Sequence, residues 1–265
     1  MTSDSLHDKV IVIVGGSGGL GLSASSACAS AGARLVIVSR SEANCRTAAE
    51  QLGSRVRWLA ADATDPTTSR RAVELACEAF GRLDGLYHVA GGSGRASGDG
   101  PLDQISDEGW ESTLRWNLTS LFYSNRAAAE QFLRQKSGGA VLNMSSVLAW
   151  SPSPRYFATH AYAAAKAAVI GLTRASAAYY APHGIRFNVI APALVDTPMA
   201  QRAVGNAETM QYVASKQPLD GGRVGAPSDL DAAVVYFLSD QSKFVTGQVL
   251  AVDGGWSVSE GQHHD

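Results

Sequence analysis

Charge of either sign is scarce in this sequence, and what there is nearly cancels: 22 lysines and arginines stand against 24 aspartates and glutamates, a formal net charge of -2. Binding a phosphate backbone takes a basic stripe, so the balance argues against nucleic acid as a partner. Cysteine is rarer still. Cys28, Cys45 and Cys77 lack metal-ligand spacing and fall in or beside expected helices, which marks them as reduced apolar filler; no metal site is expected. Long hydrophobic runs are missing too. The early run Val10–Val14 is far too short to cross a bilayer, and MTSDSLHDK before it has no apolar signal core, so the chain reads as cytoplasmic with no membrane partner. The closing GQHHD holds two histidines, read as a terminal tail rather than a ligand pair. No Pro/Ser-rich linker and no fixed-period repeat divides the 265 residues, and 45% of them are apolar, enough for a core from end to end. Residues 1–265 are therefore expected to form a single domain.

What is present is an alternation. Short apolar runs at 10–14, 34–38, 56–60, 85–90, 140–145, 185–191 and 248–252 are separated by stretches of helical composition at 20–31, 41–52, 67–80, 107–135, 160–181 and 228–239. The runs are near-continuously apolar rather than alternating, which implies strands covered on both faces. The fold class expected is α/β, a doubly wound parallel sheet of about seven strands in a three-layer sandwich. In such a sheet the loops at the carboxyl ends of the strands surround the ligand crevice. Two stretches suit that rim: the loose GGSGRASGDGP at 91–101, and an irregular 193–227 with a broken helical pattern, whose Met199, Val204, Met210, Tyr212 and Val213 suggest a substrate lid.

The segment VIVIVGGSGGLG passes from a strand into a helix. Gly15, Gly19 and Gly21, with Ser17, Gly18 and Leu20 between them, stand where main chain approaches a pyrophosphate and a helix begins. A tight turn with no ligand is the alternative; the flanking strand and helix favour the nucleotide site. About twenty residues on, where a carboxylate would hold an adenosine ribose 2'-hydroxyl, the sequence reads VSRSE. Ser39 stands in the acidic place and Arg40 follows it, a guanidinium that can pair with a 2'-phosphate. NADP(H) is thus favoured over NAD(H), with Glu42 remaining as a ribose ligand for the latter.

HAYAAAKAAVIGL at 160–172 puts Tyr162 and Lys166 four apart, on one face of a helix. A lysine ammonium beside a phenol is expected to stabilise phenolate and to lower a pKa near 10 toward a useful acid/base range. Alone, Y-x-x-x-K is a weak signal. Combined with the G-x-x-x-G-x-G spacing of the glycines, Asn117 in RWNL and the strand AVLNMSS, it resembles the short-chain dehydrogenase/reductase superfamily across nearly the whole chain.

That resemblance implies a Rossmann fold and a site in which Ser146, Tyr162, Lys166 and Asn117 carry the reaction. Tyr162 would exchange the proton, Ser146 would hold the carbonyl oxygen, Lys166 would reach the nicotinamide ribose, and Asn117 would bind a water linking Lys166 to solvent. It also implies cofactor contacts from Asp62 and Ala63 at adenine, from Ala90 and Gly91, and from Pro192, Val195 and Thr197, with Tyr162 and Lys166 counted among them. A homotetramer or homodimer is implied, the alanine-rich helix lying at an interface.

The sequence departs from the family pattern at Val14, at His88-Val89, at Ala193, and in a longer segment between Ser146 and Tyr162 containing Trp150, Tyr156 and Phe157. Val14 and His88 are read as sheet packing; the long segment should reshape the substrate pocket. The expected activity is NADP(H)-dependent interconversion of a ketone and a secondary alcohol, 3-oxoacyl-carrier-protein reductase-like. NAD(H)-dependent alcohol or polyol oxidation, double-bond reduction and a silent nucleotide-binding regulator are the alternatives. Arg155 and Arg202 are candidate ligands for an acidic substrate group, or else solvated loop charges.

Overall fold

In a computed structural model, residues 5–261 are described; His263 and His264 lie outside them. Seven parallel strands form one sheet in the order β3-β2-β1-β4-β5-β6-β7. They are β1 (Val10–Val14), β2 (Arg34–Ser39), β3 (Val56–Ala60), β4 (Gly85–His88), β5 (Gly139–Met144), β6 (Ile185–Pro192) and β7 (Val249–Val252). The order reverses between β1 and β4, the switch point beside which a doubly wound sheet opens its crevice.

Side-chain alternation divides each strand between two layers. Ile11 and Ile13 of β1 pack with Leu35, Ile37 and Tyr87 against α1 (Gly19–Ser30), α2 (Glu42–Leu52) and the late helix α10 (Asp231–Leu238). Val10, Val12 and Val14 point the other way, toward α3 (Thr68–Phe80), α5 (Ser120–Gln135) and α6 (His160–Tyr180). Each such buried aliphatic side chain stabilises the fold by about 1.5–3 kcal/mol relative to exposure. Val14 is buried in this second layer, in keeping with its reading as sheet packing.

Two expectations need correction, for 107–135 and for 91–101. The helix read over 107–135 is two helices, α4 (Asp107–Leu114) and α5, joined by a π-turn over Arg115–Thr119. The stretch 193–227 is a broken series of short helices, in keeping with its pattern: α7 (Gln201–Val204), α8 (Ala207–Lys216) and α9 (Leu219–Gly222), the last interrupted by left-handed Asp220 and Gly221. There Val213 is fully buried against Val147 and Trp256. The glycine-rich loop at 91–101 contains a 3-10 turn over Arg95–Ser97 and buries Asp99 and Gly100, so it is built rather than loose. Gly94 and Gly98 on either side have φ of +73° and +98°, a left-handed backbone that only glycine adopts without strain. No helix among the described residues is long and apolar enough to cross a membrane.

Candidate active site

The carboxyl ends of β1, β2, β4, β5 and β6 enclose a cavity of about 960 Å³. Its lining runs from Ser39, Arg40 and Asp62 at one end, past the glycine turn, to Asn117, Ser146, Tyr162 and Lys166 at the other. The catalytic residues and the glycine-turn, Ser39, Arg40, Asp62, Ala63, Ala90, Gly91, Pro192, Val195 and Thr197 positions read from the sequence all border it, whereas Glu42 and Arg155 do not.

The glycine end is shaped by close main-chain approach. Gly15 has φ of +97°, and a Cβ there would stand 2.8 Å from the Ala90 nitrogen; a Cβ on Gly21 would stand 2.0 Å from the Gly15 oxygen. Gly18 precedes α1 without any side-chain cap, so the first amides of that helix are left to face the cavity, where an anion is favoured. A Cβ on Gly18 would meet nothing within 4 Å, so the space beside the turn is open. The Ser39 hydroxyl accepts from the Ser17 amide at 3.3 Å, tying the glycine turn to the end of β2. Arg40 is exposed at the cavity edge and makes no ion pair among the described residues, whereas Glu42 is paired with Arg46 one helical turn on, at 2.7 Å. These features fit a dinucleotide: small residues where a pyrophosphate would lie, free amides to hold it, and a basic side chain at the adenosine end.

At the other end β5 delivers Ser145 and Ser146 directly beneath α6. Ser145 donates to the Lys166 carbonyl at 2.8 Å, pinning helix to strand, and Asn143 joins Asn125 of α5 to Thr173 of α6 through buried side-chain hydrogen bonds. Lys166 is 2% exposed, with Nζ donating to the Met144 carbonyl at 3.1 Å and standing 5.4 Å from the Tyr162 ring centroid. Burial pushes Lys166 down to about 8. Burial pushes the Tyr162 phenol up to about 12, and the Ser146 hydroxyl turned toward it pulls the other way. The expected lowering of the phenol by lysine is therefore not what this environment produces: desolvation of the phenolate outweighs the stabilisation that its neighbours supply.

Asn117 lies in the π-turn, fully buried, its amide donating to the carbonyls of Gly92 (2.8 Å) and Thr113 (3.0 Å) and its oxygen accepting from the Gly92 amide at 3.2 Å. An extra residue per turn re-aims one side chain, a feature that recurs at functional sites. A Cβ on Gly91 would stand 2.5 Å from Asn117 Oδ1 and 3.5 Å from Lys166 Nζ, so the glycine keeps these two groups close. His88 is a satisfied core residue, 1% exposed, with Nδ1 2.8 Å from Ser124 Oγ and Nε2 3.3 Å from Ser120 Oγ. Burial, and then the Lys166 charge, push it down to about 3.

Of the long segment before α6, Phe157 lines the cavity, but Trp150 and Tyr156 do not. Tyr156 stacks on Tyr212 with centroids 4.5 Å apart and donates to Glu208. Arg155 also pairs with Glu208, which takes it out of consideration as a substrate ligand. Sequence reasoning missed Arg95, Trp116 and Trp256 in the lining, and Asp99 behind it. No spacing or periodicity in GGSGRASGDGP marks its arginine or its aspartate.

The family model described as Enoyl-(Acyl carrier protein) reductase matches residues 15–257. The chain is 33% identical over 263 residues to 2-(S)-hydroxypropyl-CoM dehydrogenase 3 of Xanthobacter autotrophicus, covering 97% of this chain and 99% of that protein. A short-chain type dehydrogenase/reductase from Mycobacterium ulcerans superposes with a TM-score of 0.88 at 31% identity, over 96% of this chain and 91% of the other. The 3-ketoacyl-(acyl-carrier-protein) reductase from Brucella melitensis, solved with NADH, gives 0.84 at 27% identity, over 96% and 100%.

Proposed function

This chain belongs to the short-chain dehydrogenase/reductase superfamily, oxidoreductases of alcohols and ketones that use NAD(P)(H), and from that premise we propose that it interconverts a ketone and a secondary alcohol with NADP(H), Tyr162 serving as acid and base. The observation that carries this reading is the convergence of Tyr162, Lys166, Ser146 and Asn117 on one wall of a cavity whose far end offers a glycine turn and an unpaired Arg40.

When bound, the nicotinamide supplies or accepts the hydride. Tyr162 donates its phenolic proton to the carbonyl oxygen in reduction and recovers it from the alcohol in oxidation. A phenol near 12 is a weak acid, so loss of that proton depends on what its neighbours supply: the Ser146 hydroxyl and, 5.4 Å from the ring centroid, the Lys166 ammonium. Ser146 holds the same oxygen as negative charge develops on it. Asn117 fixes the Gly92 loop beside Lys166 and keeps a polar route open between that lysine and the cavity. The glycine turn, with Ser17, Gly18, Leu20, Ala90, Gly91 and Thr197, would receive the pyrophosphate, Asp62 and Ala63 would flank the adenine, and Pro192 and Val195 would border the nicotinamide. Arg40 binds the 2'-phosphate, and the pairing of Glu42 with Arg46 supports NADP(H) over NAD(H).

The chain works as one catalytic domain, with 193–227 as lid: Met199 and Arg202 reach the cavity while Val213 anchors the segment to the core. Exposed Phe122 and Leu133 on α5 and Tyr179 on α6 support self-association through those helices, as a dimer or tetramer.

Tyr162→Phe tests the mechanism. Turnover of a carbonyl panel should fall by a factor of about 10² or more, with the dissociation constant for NADPH within about twofold, since little packing is lost. Turnover retained in that variant overturns the role of Tyr162. Reduction of enoyl but not keto substrates by the wild type would assign it to double-bond reduction instead.

A further inference from the structure

The cavity lining away from the adenosine end carries basic side chains and no carboxylate. Of the charged residues that line the cavity, Arg40 and Asp62 stand at the adenosine end and Lys166 is buried in the wall. That leaves Arg95, on the 3-10 turn of the 91–101 loop, and Arg202, on α7 of the proposed lid. The two come from separate elements that line the same cavity. Among the described residues neither forms an ion pair, in contrast to Arg155, Arg223, Arg46 and Arg34, each of which has a carboxylate within 4.0 Å.

Arg95 is half-buried, held by one long contact from its guanidinium to the Tyr156 carbonyl at 3.4 Å. Burial lowers its pKa and the charge of Arg202 lowers it further, so the two guanidinium groups feel one another across the site. The acidic group nearest to Arg95 is Asp99, which raises it, but both oxygens of that carboxylate are taken by the amides of Ala161 and Tyr162. Arg95 is half-buried and Arg202 exposed, and two guanidinium groups lining one cavity with no ion-paired carboxylate make a positive patch that favours an anion. A guanidinium pair is the geometry that grips a carboxylate, sulfonate or phosphate through parallel N–H donors. Leu148, Phe157, Trp116 and Trp256 line the same cavity and suit a hydrocarbon body.

We propose that Arg95 and Arg202 form an oxyanion-binding subsite, and that the substrate is a ketone or secondary alcohol carrying a carboxylate or like anion on an apolar framework. The inference rests on the oxidoreductase reading for the word substrate, but the subsite is testable without turnover.

The NADPH-saturated protein is titrated with cyclohexanecarboxylate and with cyclohexanecarboxamide, a matched pair differing in charge. Wild type should prefer the carboxylate by about tenfold or more, as loss of one charge-assisted pair predicts. Arg95→Gln and Arg202→Gln should each erode that preference and the double variant erase it, while the dissociation constant for NADPH stays within about twofold. Equal binding of acid and amide, or a preference that survives in the double variant, overturns the subsite. A loss of NADPH affinity in the variants also overturns it, because the arginines would then be serving the cofactor. Turnover of 4-oxocyclohexanecarboxylate against its methyl ester is measured in parallel. A charge preference in kcat/KM that disappears with the arginines supports the subsite as a specificity determinant. No turnover of any ketone, with the binding preference intact, supports the anion site and counts against the oxidoreductase reading.

Discussion

The carboxylate of Asp99 accepts hydrogen bonds from the main-chain amides of both Ala161 (3.0 Å) and Tyr162 (2.9 Å), so a residue from a distant loop holds the first turn of the helix on which Tyr162 sits. Thr159, at the helix's own N-cap position, makes no side-chain cap bond. The orphan amides of α6 are thus satisfied by a buried anion, which also complements the helix dipole.

Asp99→Asn should act on position rather than on binding. Asparagine keeps one acceptor but turns an N–H toward the second amide, and loss of such a cap costs about 0.5–2 kcal/mol. We expect a lower melting temperature and a kcat reduced several-fold to about tenfold, with NADPH affinity unchanged. A variant with lowered stability but wild-type kcat would confine Asp99 to a structural role.

The central strands were legible in the sequence because a parallel sheet covered on both faces demands apolar runs, and VIVIV at 10–14 coincides with β1 end to end; the edge strand β3, VRWLA at 56–60, coincides too although Arg57 is exposed. The glycine turn and the Tyr162/Lys166 pair were legible because local spacing alone sets them. The π-turn at Asn117 was not. Helical composition runs straight through it, and the extra residue is held by contacts to Gly92, far away in sequence. Asp99 and Arg95 share that property: each acts on a segment about sixty residues downstream, which no local pattern encodes. The rise of the Tyr162 phenol was hidden for a related reason, since desolvation depends on what the fold places around it.

Arg40→Asp should reverse cofactor preference. The carboxylate repels a 2'-phosphate and can accept from a 2'-hydroxyl, so the NADPH dissociation constant should rise about tenfold or more and that for NADH should fall. Fluorescence titration with each cofactor reads both. Selectivity unchanged by the substitution would remove Arg40 from the phosphate site.

His88 should make the fold acid-sensitive. Its pKa is 6.5 ordinarily and about 3 in place, so the unfolded chain binds a proton that the native chain refuses. The stability that this neutral histidine contributes is complete above about pH 6.5 and is lost as pH falls toward 3, by up to about 1.4 kcal/mol per unit. His88→Asn, which cannot be protonated, should flatten urea midpoints between pH 6.5 and 4 relative to wild type. Parallel curves for the two proteins would show that acid acts elsewhere.

Lys166 should be a residue whose removal destroys activity and strengthens the fold. Its pKa falls from 10.5 to about 8 because the ammonium is buried, with a main-chain carbonyl as its hydrogen-bond acceptor. Below pH 8 the native chain carries a charge that the unfolded chain holds more cheaply in water, and the penalty is fully present there. As pH rises from 8 to 10.5 the native lysine gives up its proton before the unfolded one does, and the penalty fades. Lys166→Met fills the same volume without the charge but leaves the Met144 carbonyl without its donor. The net gain expected at pH 7 is about 1–3 kcal/mol, offset in part by that lost bond. Urea denaturation at pH 7 and pH 9.5 measures it, and the gain should shrink at the higher pH. A variant less stable than wild type at pH 7 would mean that the buried ammonium is better satisfied than its surroundings indicate. A gain at pH 7 together with lost turnover would show that stability is given up to keep a cation beside the Tyr162 phenol, the trade expected where a buried charge is held for chemistry rather than for folding.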